Sequence, residues 1–438
     1  MFYLIETEDQ LKKLENKLLS DRPLYLEYIQ GNDNTHPALV EVIAIYINIG
    51  NEGYIIPINH TECINWDKDK IFSWLQWDIG RTFCVLDKKA ALHINPNLSY
   101  TDIQHRLFNN RNNNTYTYHN HNTQAHAWYY RKFPQIKVNK MIPIGKHLER
   151  CNNKFCEVNG DSSWVPSPYF NEILLPVLYK LEQNALKFNS MFDEYFTLKS
   201  KKFSIKEDHI YGWYNPYTQT GRPVNNFNGI SFVGLKHDNG ERNCFEPDND
   251  LFVEMDYDGY HPRLIGDIVD YQFKGNVHNE LAEIYFKSKE ITPEQYKESK
   301  TLTFKQIYGG IDKANLHHPF FKKTQDFINI IWDEFNKNGY VNAGSYIIKK
   351  EYHSKIKAQK LFNYYIQAVE TSTNIRKIKE IQEYLKDKKT KLVLYIYDAF
   401  VFDFAKEEGS KVLKDLQTIL DNKFPVKVKR GRHYGALS

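Results

Sequence analysis

Two acidic residues in the C-terminal half of the chain could do chemistry. In LYIYDAFVFDF, residues 394–404, Asp398 stands in a run that is otherwise apolar and aromatic apart from its end. Read as one buried strand, the run puts Leu394, Ile396, Asp398, Phe400 and Phe402 on a single face, because strand side chains alternate with a period of two. A buried carboxylate with no partner is driven neutral or destabilises the fold. In LFVEMDYDGYHPRL, residues 251–264, Leu251, Val253, Met255 and Tyr257 alternate with Phe252, Glu254, Asp256 and Asp258. That pattern gives one strand an apolar and an acidic face. Stacked carboxylates repel unless a cation sits among them, and a solvated edge strand shows the same pattern. Divalent cations shared by Asp256 and Asp398 from neighbouring strands resolve both conflicts. Two Mg²⁺ about 3.5–4 Å apart are the usual device for in-line phosphoryl transfer.

A third stretch, TPEQYKESKTLTFKQIYGG, residues 292–310, reads as a helix. Thr292 suits the N-cap, Pro293 the first helical position and Glu294 the first turn, and Gly309–Gly310 ends it. Tyr296, Lys300, Phe304 and Tyr308 recur every four residues and share one side. A cation followed by aromatic faces suits a triphosphate at one end and a base at the other. The same stripe is also compatible with Phe304 and Tyr308 in a core and Lys300 in solvent.

The elements that position these residues belong to a soluble-type chain of 438 residues, long enough for two or three domains. Hydrophobic content is 41% and charged content 26%, and the net charge of +4 permits a polyanionic partner without requiring one. Five cysteines at irregular spacing point to a reducing compartment. No signal peptide and no run of about 18 apolar residues is seen, so no membrane association is expected. RPLYLEYIQ, LVEVIAIYI and NEGYIIPIN read as strands, and DKIFSWLQ and DKKAALHI as helices, giving an α/β N-terminal unit. Residues 109–122 are asparagine-rich and read as a loop. Residues 170–202 read as one helical stretch after Pro166 and Pro168. His119, His121, His126, His147, Cys151 and Cys156 have zinc-type side chains at spacings of no standard site.

Taken in order, the three stretches resemble motifs A, B and C of the family A (polymerase I-type) DNA polymerases. The resemblance extends to TQTGRPVNNFNGISFVGL (218–235), ERNCFEP (241–247), FNYYIQAVETSTNIRKI (362–378) and FPVKVKRGRHYGAL (424–437), and covers nearly all of 170–438. It implies an α/β and α+β multidomain chain: a right-hand palm/fingers polymerase domain at 166–438, with fingers at 265–350 and a remnant thumb at 170–210. Asp256, Asp398 and the carbonyl of Tyr257 would hold two Mg²⁺, for which Mn²⁺ can substitute. Lys300 would meet the triphosphate, with Phe304 and Tyr308 flanking the incoming nucleotide. Arg222, Asn363 and Gln367 would contact the primer–template minor groove. The implied partners are primer–template DNA, dNTPs and a processivity or replisome partner, in the cytoplasm of a phage-infected bacterial host.

The sequence departs from the family at informative places. His261 stands where the family has a glutamate gating the sugar, while Arg263 matches. Tyr397-Asp398-Ala399 lacks the third carboxylate of motif C. Tyr296 replaces an arginine, with Lys297 next to it about 100° round the helix. Residues 1–165 resemble an RNase H-like 3′–5′ exonuclease domain in degenerate form. Its first-strand acidic motif is reduced to Tyr25-Leu26-Glu27, and Ala91 stands where a second aspartate is expected, so no proofreading is expected. Only 40 residues separate Glu182 from Arg222, too few for a full thumb. An inactive DNA-binding accessory subunit, a single-subunit RNA polymerase and a reverse transcriptase are the alternatives.

Overall fold

The computed structural model describes residues 2–30, 36–60, 63–85, 87–102, 167–196, 203–218, 220–225, 231–235, 239–353, 355–421 and 423–437. The histidine and cysteine group at 119–156 lies outside the described residues, as does the asparagine-rich 109–122. The chain divides into two compact units. One comprises Met1–Ala185, Phe196–Tyr217 and Asn225–Ile230. The other comprises Leu186–Tyr195, Thr218–Val224 and Ser231–Ser438.

The N-terminal unit is built on a six-stranded mixed sheet. β1 (Phe2–Leu4) is followed by α1 (Glu8–Leu18), β2 (Leu24–Gln30), β3 (Val42–Ile49) and β4 (Glu52–Pro57). Then come α2 (Lys68–Trp74), β5 (Thr82–Val85), α3 (Lys88–Ile94), β6 (Ser99–Asp102) and α4 (Leu175–Glu182). The strand order is β1-β4-β3-β2-β5-β6. β2, β3 and β4 form an antiparallel meander, β5 runs parallel to β2, and β6 parallel to β5. β3 is buried along its whole length, as expected of a central strand rich in β-branched residues. Thr7 and Gln10 close a capping box on α1, which buries Leu11, Leu14 and Leu18 against the sheet core.

The helical stretch expected over 170–202 is shorter. Tyr169–Leu174 winds as a π-helix into α4, which ends at Glu182; a short strand, Leu186–Phe188, and one helical turn, Phe192–Phe196, follow. Phe188 pairs with Phe245, so a long-range strand pairing overrides local helical propensity there.

The C-terminal unit is organised on a four-stranded antiparallel sheet flanked by helices. In chain order it runs β7 (Leu251–Tyr257), α5 (Tyr260–Ile268), α6 (Val277–Phe286), α7 (Pro293–Gly309) and α8 (Pro319–Asn338). The hairpin β8 (Tyr340–Ala343) and β9 (Tyr346–Lys349) precedes α9 (Ala358–Tyr384), β10 (Lys391–Ile396), β11 (Ala399–Phe404), α10 (Gly409–Leu420) and β12 (Val426–Gly431). The sheet order is β10-β11-β7-β12. α9 buries residues on all sides, among them Phe362, Ile366, Glu370 and Asn374, as a helix through the middle of a domain does. Ile307 of α7, Phe320 and Phe335 of α8, and Leu361 and Phe362 of α9 share one core.

Candidate active site

β7 and β11 pair so that Asp256 lies opposite Ala399, the residue after Asp398. The Tyr257 N–H donates to the Asp398 carbonyl at 3.5 Å. The two aspartates are brought together, but not by one continuous strand: 394–404 is a hairpin. β10 ends at Ile396, Tyr397 and Asp398 make the turn, and Ile396 pairs with Ala399. The reversal depends on Tyr397, which takes a left-handed φ of 59° at a cost of about 1–2 kcal/mol for a non-glycine residue. Two contacts hold it there. The Arg222 guanidinium lies 4.2 Å from the Tyr397 ring centroid, and Asn374 Nδ2 donates to the Tyr397 carbonyl at 2.9 Å.

The acidic face of β7 is not solvated. Glu254 is buried and Asp256 half-buried, and β12 brings two lysines across from them. Lys429 lies opposite Glu254 and pairs with it at 2.7 Å, while Lys427 lies opposite Asp256 but pairs with Asp258 at 2.6 Å. Three acids thus meet two lysines, and Asp256, the middle one, makes no ion pair among the described residues. Burial first, then the charge of Asp398, pushes Asp256 up to about 7. Burial and then Glu370 also raise Asp398, against His261 and Arg222. Two desolvated oxygen ligands with uncompensated negative charge are a donor set that fits a hard divalent cation.

α7 forms as its capping residues dictate. Thr292 accepts the Gln295 N–H and Gln295 returns the bond, Pro293 opens the helix, and Gly310 closes it. The face it buries is Ser299, Thr303, Gln306 and Ile307, so the expected stripe lies beside the core, with Tyr308 packed against its edge. Phe304 is 40% exposed and stacks on Tyr308 with centroids 6.0 Å apart and planes 10° off parallel. Lys300 Nζ lies 4.7 Å over the Tyr296 ring, and Lys297 is exposed. Arg263 donates from Nε to the Asp258 carbonyl at 2.9 Å and from its terminal nitrogen to the Gly275 carbonyl at 2.7 Å.

The sequence reading missed His278 on α6. Its ring meets Tyr296 edge-on at 5.7 Å, and Nδ1 is buried with no hydrogen-bond partner. Burial, then the nearby Lys300, lowers it to about 4, so it is a neutral imidazole beside the cations. The reading took Asn363 and Gln367 on α9 but missed Glu370 and Asn374, which continue the same polar stripe at i, i+4, i+7 and i+11. That spacing was the available signal. Gln367 Nε2 donates to Asn363 Oδ1 at 2.6 Å, and the Tyr260 hydroxyl donates to Asn374 at 2.9 Å. Glu370 accepts from Arg222 and lies 2.9 Å from His261 Nε2, while His261 Nδ1 meets the Tyr308 hydroxyl.

Among the described residues, one His/carboxylate group has ligand atoms within 4.8 Å of one another: His36, His93 and Glu182, in the N-terminal unit. Its chemistry is that of a buried ion-pair core. Lys89 pairs with Glu182 and lies 3.0 Å from the Trp213 ring centroid, and His93 Nε2 donates to Glu182 at 3.0 Å. His36 Nδ1 accepts the Ala38 N–H at 3.2 Å, so Nε2 carries the proton of the neutral ring and offers a metal no lone pair.

The fold is that of a polymerase domain. The chain is similar to the solved POL domain of Pol1 from M. smegmatis, described in complex with DNA primer–template and dNTP. The TM-score is 0.72 over 99% of each chain, with 14% sequence identity. At that identity the similarity is one of fold. No protein-family model matches the chain, and no curated protein matches it.

Proposed function

We propose that the chain is a template-directed DNA polymerase that extends a primer 3′-hydroxyl with dNTPs and releases pyrophosphate. One observation carries the proposal: a polymerase-domain fold in which Asp256 and Asp398 converge with uncompensated charge. On this reading the four-stranded sheet is the palm, 265–350 the fingers and 170–210 the remnant of a thumb. Two Mg²⁺, or Mn²⁺, held by Asp256, Asp398 and the Tyr257 carbonyl would neutralise phosphate charge and acidify the attacking hydroxyl. Lys300 binds the triphosphate, with His278 and Arg263 beside it. Phe304 and Tyr308 stack against the nucleotide. Asn363, Gln367 and Arg222 read the duplex end from the minor groove.

The N-terminal unit is proposed to be RNase H-like and inactive in proofreading. An antiparallel meander followed by two parallel strands supports the fold. Ala91, buried and apolar where a metal ligand is expected, supports the lost activity. No helix among the described residues is long and apolar enough to cross a membrane.

Primer extension with deoxy- and ribonucleotide sets, with and without Mg²⁺, tests the proposal. Mg²⁺-dependent dNTP incorporation that Asp398→Ala abolishes supports it. DNA binding without extension would make the chain an accessory subunit, and a preference for ribonucleotides would make it an RNA polymerase. Extension that Asp398→Ala leaves intact would refute the metal site.

A further inference from the structure

We propose that Glu370 is a positioning residue for the incoming nucleotide: through His261 it fixes the hydroxyl of Tyr308, and with it the pocket edge that discriminates the nucleotide's sugar. The inference rests on the polymerase reading and assigns a role that the family resemblance does not carry. The resemblance points to position 261 for sugar gating, but here the carboxylate sits on α9 and a histidine stands between it and the tyrosine.

The bond between His261 and Glu370 has a direction set by the chemistry. Glu370 is 1% exposed. Burial alone would raise its carboxyl, but the hydrogen bond and charge of His261 and the charge of Arg222 outweigh burial and hold it below the ordinary value. An ionised carboxylate only accepts, so His261 Nε2, at 2.9 Å, carries a proton and donates it. Arg222 pairs with the same carboxylate, so Glu370 is held between a guanidinium and an imidazole. On the far side of the same ring Nδ1 meets the Tyr308 hydroxyl, so carboxylate, imidazole and phenol form one hydrogen-bonded chain. Burial, then the charge of Glu370, raises Tyr308, so its proton is retained. The hydroxyl is therefore held in place by a ring that Glu370 orients.

The same carboxylate also reaches the other side of the site. Arg222, bound to Glu370, stacks on Tyr397, the residue before Asp398. Glu370 Oε1 and Arg222 Nε are both buried without a hydrogen-bond partner among the described residues.

The test is single-nucleotide primer extension by the full chain with a dNTP and the matching rNTP. The variants are Glu370→Gln, Tyr308→Phe, their combination, and the exchange His261→Glu/Glu370→Ala, with a thermal melt of each. Glu370→Gln is expected to raise the KM for dNTP about tenfold, the scale of one charge-assisted hydrogen bond. Its kcat should fall less, and its preference for dNTP over rNTP should narrow. In the Tyr308→Phe background the same change should add less than about twofold, because both act on one hydroxyl. The exchange, which puts a carboxylate within direct reach of Tyr308, should bring KM back to within about threefold of wild type. Independent, additive effects of the two single changes would overturn the inference. So would an active wild type whose KM and sugar preference survive Tyr308→Phe, whether or not the Glu370 variants fold. A wild-type chain that extends no primer would overturn the polymerase reading itself.

Discussion

Acidification should unfold the N-terminal unit through two histidines, and the slope can be worked out. Burial, followed for His36 by the charge of His93 and for His93 by that of Lys89, lowers each ring from the ordinary 6.5 to about 3. Between those values the unfolded chain binds protons that the native chain refuses. Their contribution to stability is complete above about pH 6.5 and is lost as pH falls toward about 3. Each histidine contributes a slope of about 1.4 kcal/mol per pH unit, and the two together about 2.7. Glu182 opposes this. Burial raises its carboxyl against the pull of Lys89, so where it titrates the native state holds the extra proton. That removes at most about 1.4 kcal/mol per pH unit, leaving a net slope between about 1.4 and about 2.7. Urea unfolding between about pH 4.5 and about pH 6.5, followed by tryptophan fluorescence, measures it. Of the five tryptophans among the described residues, Trp66, Trp74, Trp77 and Trp213 belong to this unit and Trp332 to the other, so the signal reports mainly its unfolding. His36→Asn keeps an acceptor for the Ala38 N–H and removes one titration. Its slope should be lower than wild type by about 1.4 kcal/mol per pH unit, and packing losses cancel in that comparison. Equal slopes in wild type and variant would refute the reasoning.

The site makes further predictions. Asp256→Asn or Asp398→Asn should lower turnover in primer extension by at least about a hundredfold while DNA affinity in a gel-shift titration changes little. Lys300→Ala should raise the KM for dNTP about tenfold, with a smaller effect on kcat, in steady-state extension. Gln367→Ala should slow extension from duplex primer ends by about three- to tenfold, the scale of a lost hydrogen bond, and equal rates would remove it from the minor-groove set. Glu182→Ala should leave Lys89 buried and unpaired and destabilise the N-terminal unit by about 3–5 kcal/mol in the urea assay.

The parts of this protein that announce themselves in sequence are those fixed by local chemistry. The limits of α7 follow from Thr292, Pro293 and Gly310, and its one-sided stripe from the four-residue spacing of Tyr296, Lys300, Phe304 and Tyr308. The alternation in 251–257 locates the strand that carries Asp256. What stayed hidden depends on partners distant in the chain. The turn at Tyr397–Asp398 has no glycine, asparagine or proline to mark it, and its left-handed tyrosine is tolerated because Arg222 and Asn374 grip it. The break after Glu182 follows from a strand partner near residue 245. Glu370 looks like an ordinary helical glutamate until His261, more than a hundred residues earlier, is seen beside it.

The clamped tip at Tyr397 means that the aim of Asp398 is set from outside its own hairpin. A guanidinium packs on the ring while an amide holds the carbonyl, like two jaws of a vice on a workpiece. Loosening either jaw would turn the acid off target, and at Arg222 it would also strip the buried Glu370 of its ion-pair partner. Damage at Arg222 or Asn374 would therefore weaken the fold and misdirect the acid together.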